Sequence, residues 1–366
     1  MWADGVLRKV SGWMRIPDDT TLGRMLKALR PSDINDLETL NHTLRGRVWK
    51  MAGRAGLLPA SLRQAMTVDL DSTVKTVFGS QAGAKKGYNP HKRGALSYHP
   101  LLAFCAQTKE ILQGWFRSGD AYTSNGTVEF NQQLLAHLPQ RIRVFFRADS
   151  GFFDGKTFDL WEERGHGYLV KVKMKGLVGL LSSKTWSAVQ RQPGWEQCEF
   201  LYACHEWKKA RRFVAVRKRV EPTGKRAQLS LGLGDEGTYE YSCDVTTEDF
   251  SPWQAHKTYG HRATCETWID EAKNQMGLAH IKTDTFLANA ALFRCAIVAY
   301  NTARWMALCS ANSVLRTWEI QTIRAFLIRV AGKLLTGGNQ LHVKTPESPL
   351  YPAQWEAWLG VGLGAA

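Results

Sequence analysis

Two aspartates in this chain end apolar, strand-like runs, and a third acid lies among bases at helical spacing. Asp71 stands in Val68-Asp69-Leu70-Asp71-Ser72-Thr73, where strand alternation sends Asp69 and Asp71 to one face and the apolar residues to the other. Asp149 ends Val144-Phe145-Phe146-Arg147-Ala148-Asp149-Ser150-Gly151, an apolar run that stops at an acid and a turn, which is where α/β sheets place ligands. An Asp at a strand end also serves as a turn residue or helix cap, so neither position alone decides for chemistry. The third group is Tyr259, Arg262, Glu266 and Lys273. At about 100° per residue all four fall within about 60° of one helix face. That makes a polar face with one acid among bases, and a solvated, ion-paired helix surface has the same pattern.

The spacing Tyr259-x2-Arg262-x3-Glu266-x6-Lys273 matches the Y-R-E-K signature without a gap, and in this the chain resembles the DDE transposases of bacterial insertion sequences. Asp71-Ser72-Thr73 resembles the segment around that family's first acid, and Arg147 to Phe152, R-A-D-S-G-F, resembles the segment around its second. The resemblance covers roughly residues 66–310. It implies an α/β fold: an RNase H-like mixed sheet flanked by helices, related to retroviral integrases, with a β-rich insertion between the second and third acids. Asp149 and Glu266 are 117 residues apart, room enough for it.

The resemblance makes Asp71, Asp149 and Glu266 the catalytic acids and the metal ligands. Three carboxylates converging in one cleft repel one another unless cations neutralise them, and hard divalent ions with oxygen ligands meet that need. Mg2+ or Mn2+ is expected, two ions per site about 3.5–4 Å apart, binding the attacking and leaving oxygens of an in-line phosphoryl displacement. Water attack would nick DNA at a transposon end, and the freed 3′-hydroxyl would join that end to target DNA. Tyr259, Arg262 and Lys273 would hold phosphates near the cleaved end, Arg262 as a bidentate fork and Lys273 as a point charge. Asp69 shares the face of Asp71, and Asp270 follows one turn after Glu266, but only Asp71 and Glu266 match the family pattern. Asp69 is expected to be a supporting or edge residue.

The charge balance points the same way. Among 366 residues, 48 Lys and Arg against 33 Asp and Glu leave +15, as suits a partner rich in phosphate. Residues 207–226 alone hold Lys208, Lys209, Arg211, Arg212, Arg217, Lys218, Arg219, Lys225 and Arg226 against Glu221. Within a β-hairpin these bases would flank Phe213, Val214 and Val216 and form either a phosphate-tracking edge or a solvated, aggregation-blocking one. A second basic loop, with Lys85, Lys86, Lys92 and Arg93, follows the first acid and could contact DNA near it. Relatives use an aromatic of the insertion to hold a flipped base, and Trp186, Trp195, Trp207 and Trp253 all qualify.

Positioning these groups takes several elements. Residues 1–65 read as a helical region, serving as a brace or a DNA reader, and 66–175 as the first part of the core. Strands are expected over 66–73, 96–106, 110–116, 142–148 and 168–172, and helices over 128–138 and 156–164. Residues 176–250 form the β-rich insertion without helical periodicity, 251–310 the rest of the core, and 311–366 a C-terminal helical region; helical spacing runs over 257–277, 285–309 and 319–335. Seven scattered cysteines without metal-site spacing suit reduced thiols. No apolar leader begins the chain, and Arg294, Asn301 and Arg304 interrupt its most apolar late stretch, so membrane spanning is not expected and a cytoplasmic, nucleoid-associated location is. The expected partners are double-stranded DNA, as transposon ends and target, and a second copy in a homodimer on paired ends. The stretch before the first acid is short for such a transposase, which suggests a truncated copy. The alternatives are a metal-dependent nuclease that does not join ends and a DNA-binding protein descended from a transposase.

Overall fold

The computed structural model describes residues 12, 17–90, 92–220, 238–338, 340–346 and 349–363. Alternation around the first acid produces β1 (Met66–Ser72): Val68 and Leu70 are wholly buried on one side, and Asp69 and Asp71 turn to the other. β2 (Lys75–Thr76), β3 (Lys85–Lys86) and β4 (Leu96–Tyr98) then make a small sheet of their own beside it. β5 (Leu101–Cys105) pairs antiparallel with β1 and carries β6 (Ile111–Trp115) outside it. On its other edge β1 pairs in parallel with β7 (Val144–Ala148), which pairs in parallel with β8 (Gly167–Lys171). Three antiparallel strands followed by two parallel ones around a central β1 is the RNase H-like mixed sheet that was expected.

The insertion continues that sheet. β12 (Thr238–Thr246) adds antiparallel to β8, and β11 (Arg211–Val220), β10 (Trp195–Tyr202) and β9 (Ser187–Ala188) follow in the order β6-β5-β1-β7-β8-β12-β11-β10-β9. A short helix, Leu177–Ser182, opens this region, where only strand pieces were expected. Lys225 and Arg226 lie outside the described residues.

Helices cover both faces of the central sheet. Those at Thr127–Ala136 and Gly155–Glu163 bring Phe130, Leu134, Phe158 and Trp161 onto Val68, Leu70 and Phe146. On the opposite face, Trp268 and Ile269 join Phe293, Ile297 and Tyr300 of the long helix Phe286–Cys309 against Leu102 and Phe104. The acids of β1 therefore face the second layer. The long helix is apolar and long enough to cross a membrane by composition, yet most of it is buried in the protein, where Asn301 accepts from the Ile111 N–H and donates to the Ile111 carbonyl.

The helix Pro31–Arg54 is a brace. Its Arg45 is buried and pairs with Glu110 while donating to the Ile111 and Leu112 carbonyls. Glu110, itself fully buried, also accepts from Trp49, Thr108 and Trp305. A buried carboxylate is stable only with such partners, so these bonds fix the helix to the sheet's far edge.

Of two expected helices one ends early and the other is broken. The one over 319–335 stops at Ile328, and Lys333–Gly337 instead pairs with Gln340–Lys344, a hairpin whose turn uses Gly338 at φ 57°. The one over 257–277 is three pieces: Pro252–Gly260, Ala263–Asp270 and a π-helical turn at Glu271–Gln275. That break decides where Arg262 points.

Candidate active site

β1 and β7 run in parallel with Leu70 opposite Ala148, so the next residues, Asp71 and Asp149, leave neighbouring strands side by side. Asp71 is 9% exposed, and its Oδ1 accepts the Ser72 N–H at 2.7 Å. Burial pushes its carboxyl up to about 6 against the pull of Arg262, and the charges of Asp149 and Glu266 push it further the same way. Asp149 is half-buried and caps the turn Ser150–Phe152 through Gly151 N–H at 3.0 Å. Glu266 is exposed on the helix Ala263–Asp270. Asp71 thus feels the charge of both other acids. Among the described residues, no group of three acids, histidines or cysteines is already drawn together as a ligand set. The donor chemistry nonetheless fits hard divalent cations: all oxygen, no sulfur or imidazole, and a carboxylate whose proton is held first by burial and then by a repulsion that a cation would relieve.

Arg262 is not on an exposed helix face, as its spacing had suggested. The helix stops at Gly260, the Arg262 N–H bonds the Tyr259 carbonyl at 2.8 Å, and the side chain turns inward. It is 5% exposed, with Nη2 at 3.0 Å from Asp71 Oδ2 and 2.9 Å from the Leu70 carbonyl. A buried guanidinium must be paired, and the nearest anion is the first acid. Lys273, on the π-helical turn and half-buried, donates to Thr73 Oγ1 at 2.9 Å, and burial lowers its pKa. Tyr259 is half-buried under the Lys171 ammonium, 4.1 Å from its ring centre, and burial pushes its phenol up to about 12. The break and the π turn disperse the single stripe, but Tyr259, Arg262, Glu266 and Lys273 all remain around Asp71 and Thr73.

The family model described as transposase DDE domain group 1 matches residues 1–358. The chain belongs to that family. Divalent-metal dependence is general among DDE transposases. No curated protein matches the chain. One similar solved structure is a piggyBac transposase synaptic complex with hairpin DNA, at 11% identity and a TM-score of 0.35. The alignment covers 68% of this chain and 53% of that one, so this DDE-family chain spans about half the length of the solved relative.

Sequence reasoning did not find the other charged pair of this DDE domain's core. Asp69, fully buried, lies opposite Arg147 across β1 and β7 and accepts from its Nε at 2.7 Å and Nη2 at 2.8 Å. Arg147 Nη1 also donates to the Thr258 carbonyl at 3.0 Å, tying the Tyr259 helix to both acid-bearing strands. Asp69 thus supports the site. The signal was available: Asp69 shares the face of Asp71, and Arg147 precedes Asp149 in the same motif.

The basic hairpin is largely neutralised from within. Arg211, 4% exposed, pairs with Asp159 at 2.6 Å and Glu162 at 2.8 Å, and Lys209 also reaches Glu162 at 2.7 Å. Arg212 pairs with Glu199, and Arg217 with Glu196 at 2.5 Å while its guanidinium stacks over Tyr239 and Trp186. Lys208, Lys218 and Arg219 stay exposed. The expectation of a continuous phosphate-tracking edge therefore fails at Arg211, Arg212 and Arg217, because hairpin and helix acids reach them first. In the loop after β1, Lys85 pairs with Asp120 and Lys92 lies over the Phe78 ring, while Lys86 and Arg93 are exposed. Trp186, Trp195, Trp207 and Trp253 are each half-buried against neighbours, Trp195 and Trp253 against each other.

Proposed function

We propose that this chain is a transposase that cleaves DNA at transposon ends and transfers the strand to target DNA, with Asp71, Asp149 and Glu266 as its catalytic acids. The observation that supports this most is the pair of aspartates leaving adjacent parallel strands, with Glu266 near enough to push Asp71 toward its protonated form. The acids would hold two Mg2+ or Mn2+ ions, which when bound supply a Lewis acid for the attacking and leaving oxygens. The chain's own cations do the positioning. Arg262 and Lys273 keep positive charge beside Asp71 and Thr73, where a backbone phosphate is a competing anion for both. Tyr259, its phenol pushed up to about 12 by burial, stays protonated and would donate a hydrogen bond to a phosphate. Exposed Lys86, Arg93, Lys208 and Lys218 would add sequence-independent contacts to double-stranded DNA, on which two copies would act as a homodimer across paired ends.

The test uses the DNA flanking the reading frame. Asp149→Asn and Glu266→Gln remove charge but little volume and break no buried ion pair, so each should bind that DNA as the parent does while losing Mg2+-dependent nicking and joining together. Asp71→Asn should lose both reactions too, with its fold checked by melting because it strands Arg262. A pre-cut end with a free 3′-hydroxyl separates the rivals: cutting without joining identifies a nuclease, and binding without either identifies a DNA-binding descendant.

A further inference from the structure

Two exposed tyrosines lie on abutting loops, one of which touches the residues that follow both strand acids. Tyr122 is 70% exposed and Tyr88 66% exposed, and among the described residues neither ring has an aromatic or cationic partner. Isolated surface aromatics are common and need no function. These two differ in how firmly they are held and in what lies beside them.

Tyr122 lies on the 119–126 loop, which has no regular secondary structure but is clamped along its length. Arg117 donates to the Tyr122 carbonyl at 3.2 Å, to the Asn125 carbonyl at 2.8 Å and to the His99 carbonyl at 3.0 Å. The His99 ring bonds the Ala121 carbonyl at 2.7 Å. The next residue, Thr123, lies with its Oγ1 at 3.1 Å from Ser72 Oγ, one residue beyond Asp71. It also packs so closely on Gly151 that a Cβ there would fall 2.9 Å from its side chain, two residues beyond Asp149. The loop therefore touches the residues that follow both strand acids. Tyr88 belongs to the basic loop that lies on the other flank. Gly87 packs backbone to backbone on Gly119, where a Cβ would come within 1.9 Å of the carbonyl oxygen, and Lys85 pairs with Asp120 at 2.9 Å. The basic loop with Tyr88, Lys85, Lys86, Lys92 and Arg93 thus abuts the Tyr122 loop, which itself touches the residues after both acids, and the two form one rim.

We propose that this rim binds unpaired nucleotides of a DNA strand, with Tyr122 and Tyr88 stacking on bases while the loop lysines and arginine follow the phosphates. Stacking needs a ring face, which duplex DNA keeps inside its own stack and an unpaired strand offers. Because the Tyr122 loop is already fixed, stacking orders little further chain, and the ring's exposed area is the gain. The proposal rests on the reading of DNA as the substrate and adds that part of the strand next to the acids is unpaired when bound.

The test is fluorescence anisotropy with the full chain, without divalent metal, on two labelled probes: a blunt duplex, and the same duplex with a ten-nucleotide oligo(dT) tail. The parent should bind the tailed probe more tightly. Tyr122→Ala and Tyr88→Ala should each reduce that advantage about fivefold or more, with blunt-duplex affinity unchanged, and Tyr122→Phe should retain it because only the ring is needed. Melting curves check that the variants fold, as substitution at an exposed position should allow. Equal affinity of the parent for both probes, or a tail advantage that survives both alanine variants, overturns the proposal. Loss of blunt and tailed binding together does so too, since it makes the rim a general duplex-binding surface. If the parent binds neither probe, the transposase reading falls first and this proposal with it.

Discussion

Arg262 is the counter-ion of Asp71: the guanidinium Nη2 lies 3.0 Å from the carboxylate Oδ2, with the two residues 5% and 9% exposed. Removing one partner of a buried pair strands the other, so Arg262→Ala should lower stability by about 3–5 kcal/mol, rather than the roughly 0.5 kcal/mol of an exposed helix face. Asp71→Asn combined with Arg262→Ala should cost less than the two separate losses added together. Urea unfolding of the four proteins gives the cycle, and simple additivity would show that the pair does not exist in solution.

Metal should stabilise the DNA-free chain. Three acids that repel one another gain from a shared cation, so adding Mn2+ should raise the melting temperature, by the equivalent of about 2.7 kcal/mol at a hundred times the dissociation constant. Asp149→Asn and Glu266→Gln should gain less. No shift in the parent at millimolar Mn2+ would mean that the acids bind cations only once DNA has drawn Arg262 away.

The hairpin bases should divide into two classes. Arg211→Ala breaks a buried cluster with Asp159 and Glu162 and should destabilise the fold by about 3–5 kcal/mol. Lys208→Ala and Lys218→Ala, both at exposed positions, should leave the fold intact and flatten the log–log salt dependence of DNA binding by up to about one unit for each phosphate left unneutralised. A slope unchanged in the double variant would assign these lysines to solvent.

Mild acid should loosen the brace. His42, packed face to face on His137 with centroids 3.7 Å apart, has its pKa lowered from 6.5 by burial, with Glu38 pulling the other way and Arg45 and His137 adding to the lowering. The folded state holds the neutral ring, so this stability is present above 6.5 and is lost as pH falls through the depressed folded value. Melting temperature should therefore drop on going from pH 7.5 to 5.5, and less steeply in His42→Asn. Parallel curves would clear His42 of the effect.

Much of the fold was legible because its elements are local. The alternation in residues 66–73 and the apolar run 142–148 became β1 and β7 almost as drawn, since period-two patterning with β-branched and aromatic residues depends on neighbours in the chain. The helices at 127–136, 155–163 and 286–309 followed from the same kind of pattern. The π turn at Glu271–Gln275 was not legible, nor was the strand at Lys333–Gly337, which exists only because Gln340–Lys344 pairs with it.

The sequence by itself determined which acids could matter, because strand ends and a fixed spacing among Tyr259, Arg262, Glu266 and Lys273 are properties of the chain's order. It also determined the excess of positive charge. Only tertiary structure decided how that charge is used. Parallel pairing of β1 with β7 set Asp71 beside Asp149 and Asp69 against Arg147, a register that no local pattern encodes. Burial then forced each inward-facing cation to find an anion: Arg262 took Asp71, and Arg211 took Asp159 and Glu162. A charge in water can stand alone, whereas a charge inside a protein cannot, so the partners of these bases depend on the assembled fold.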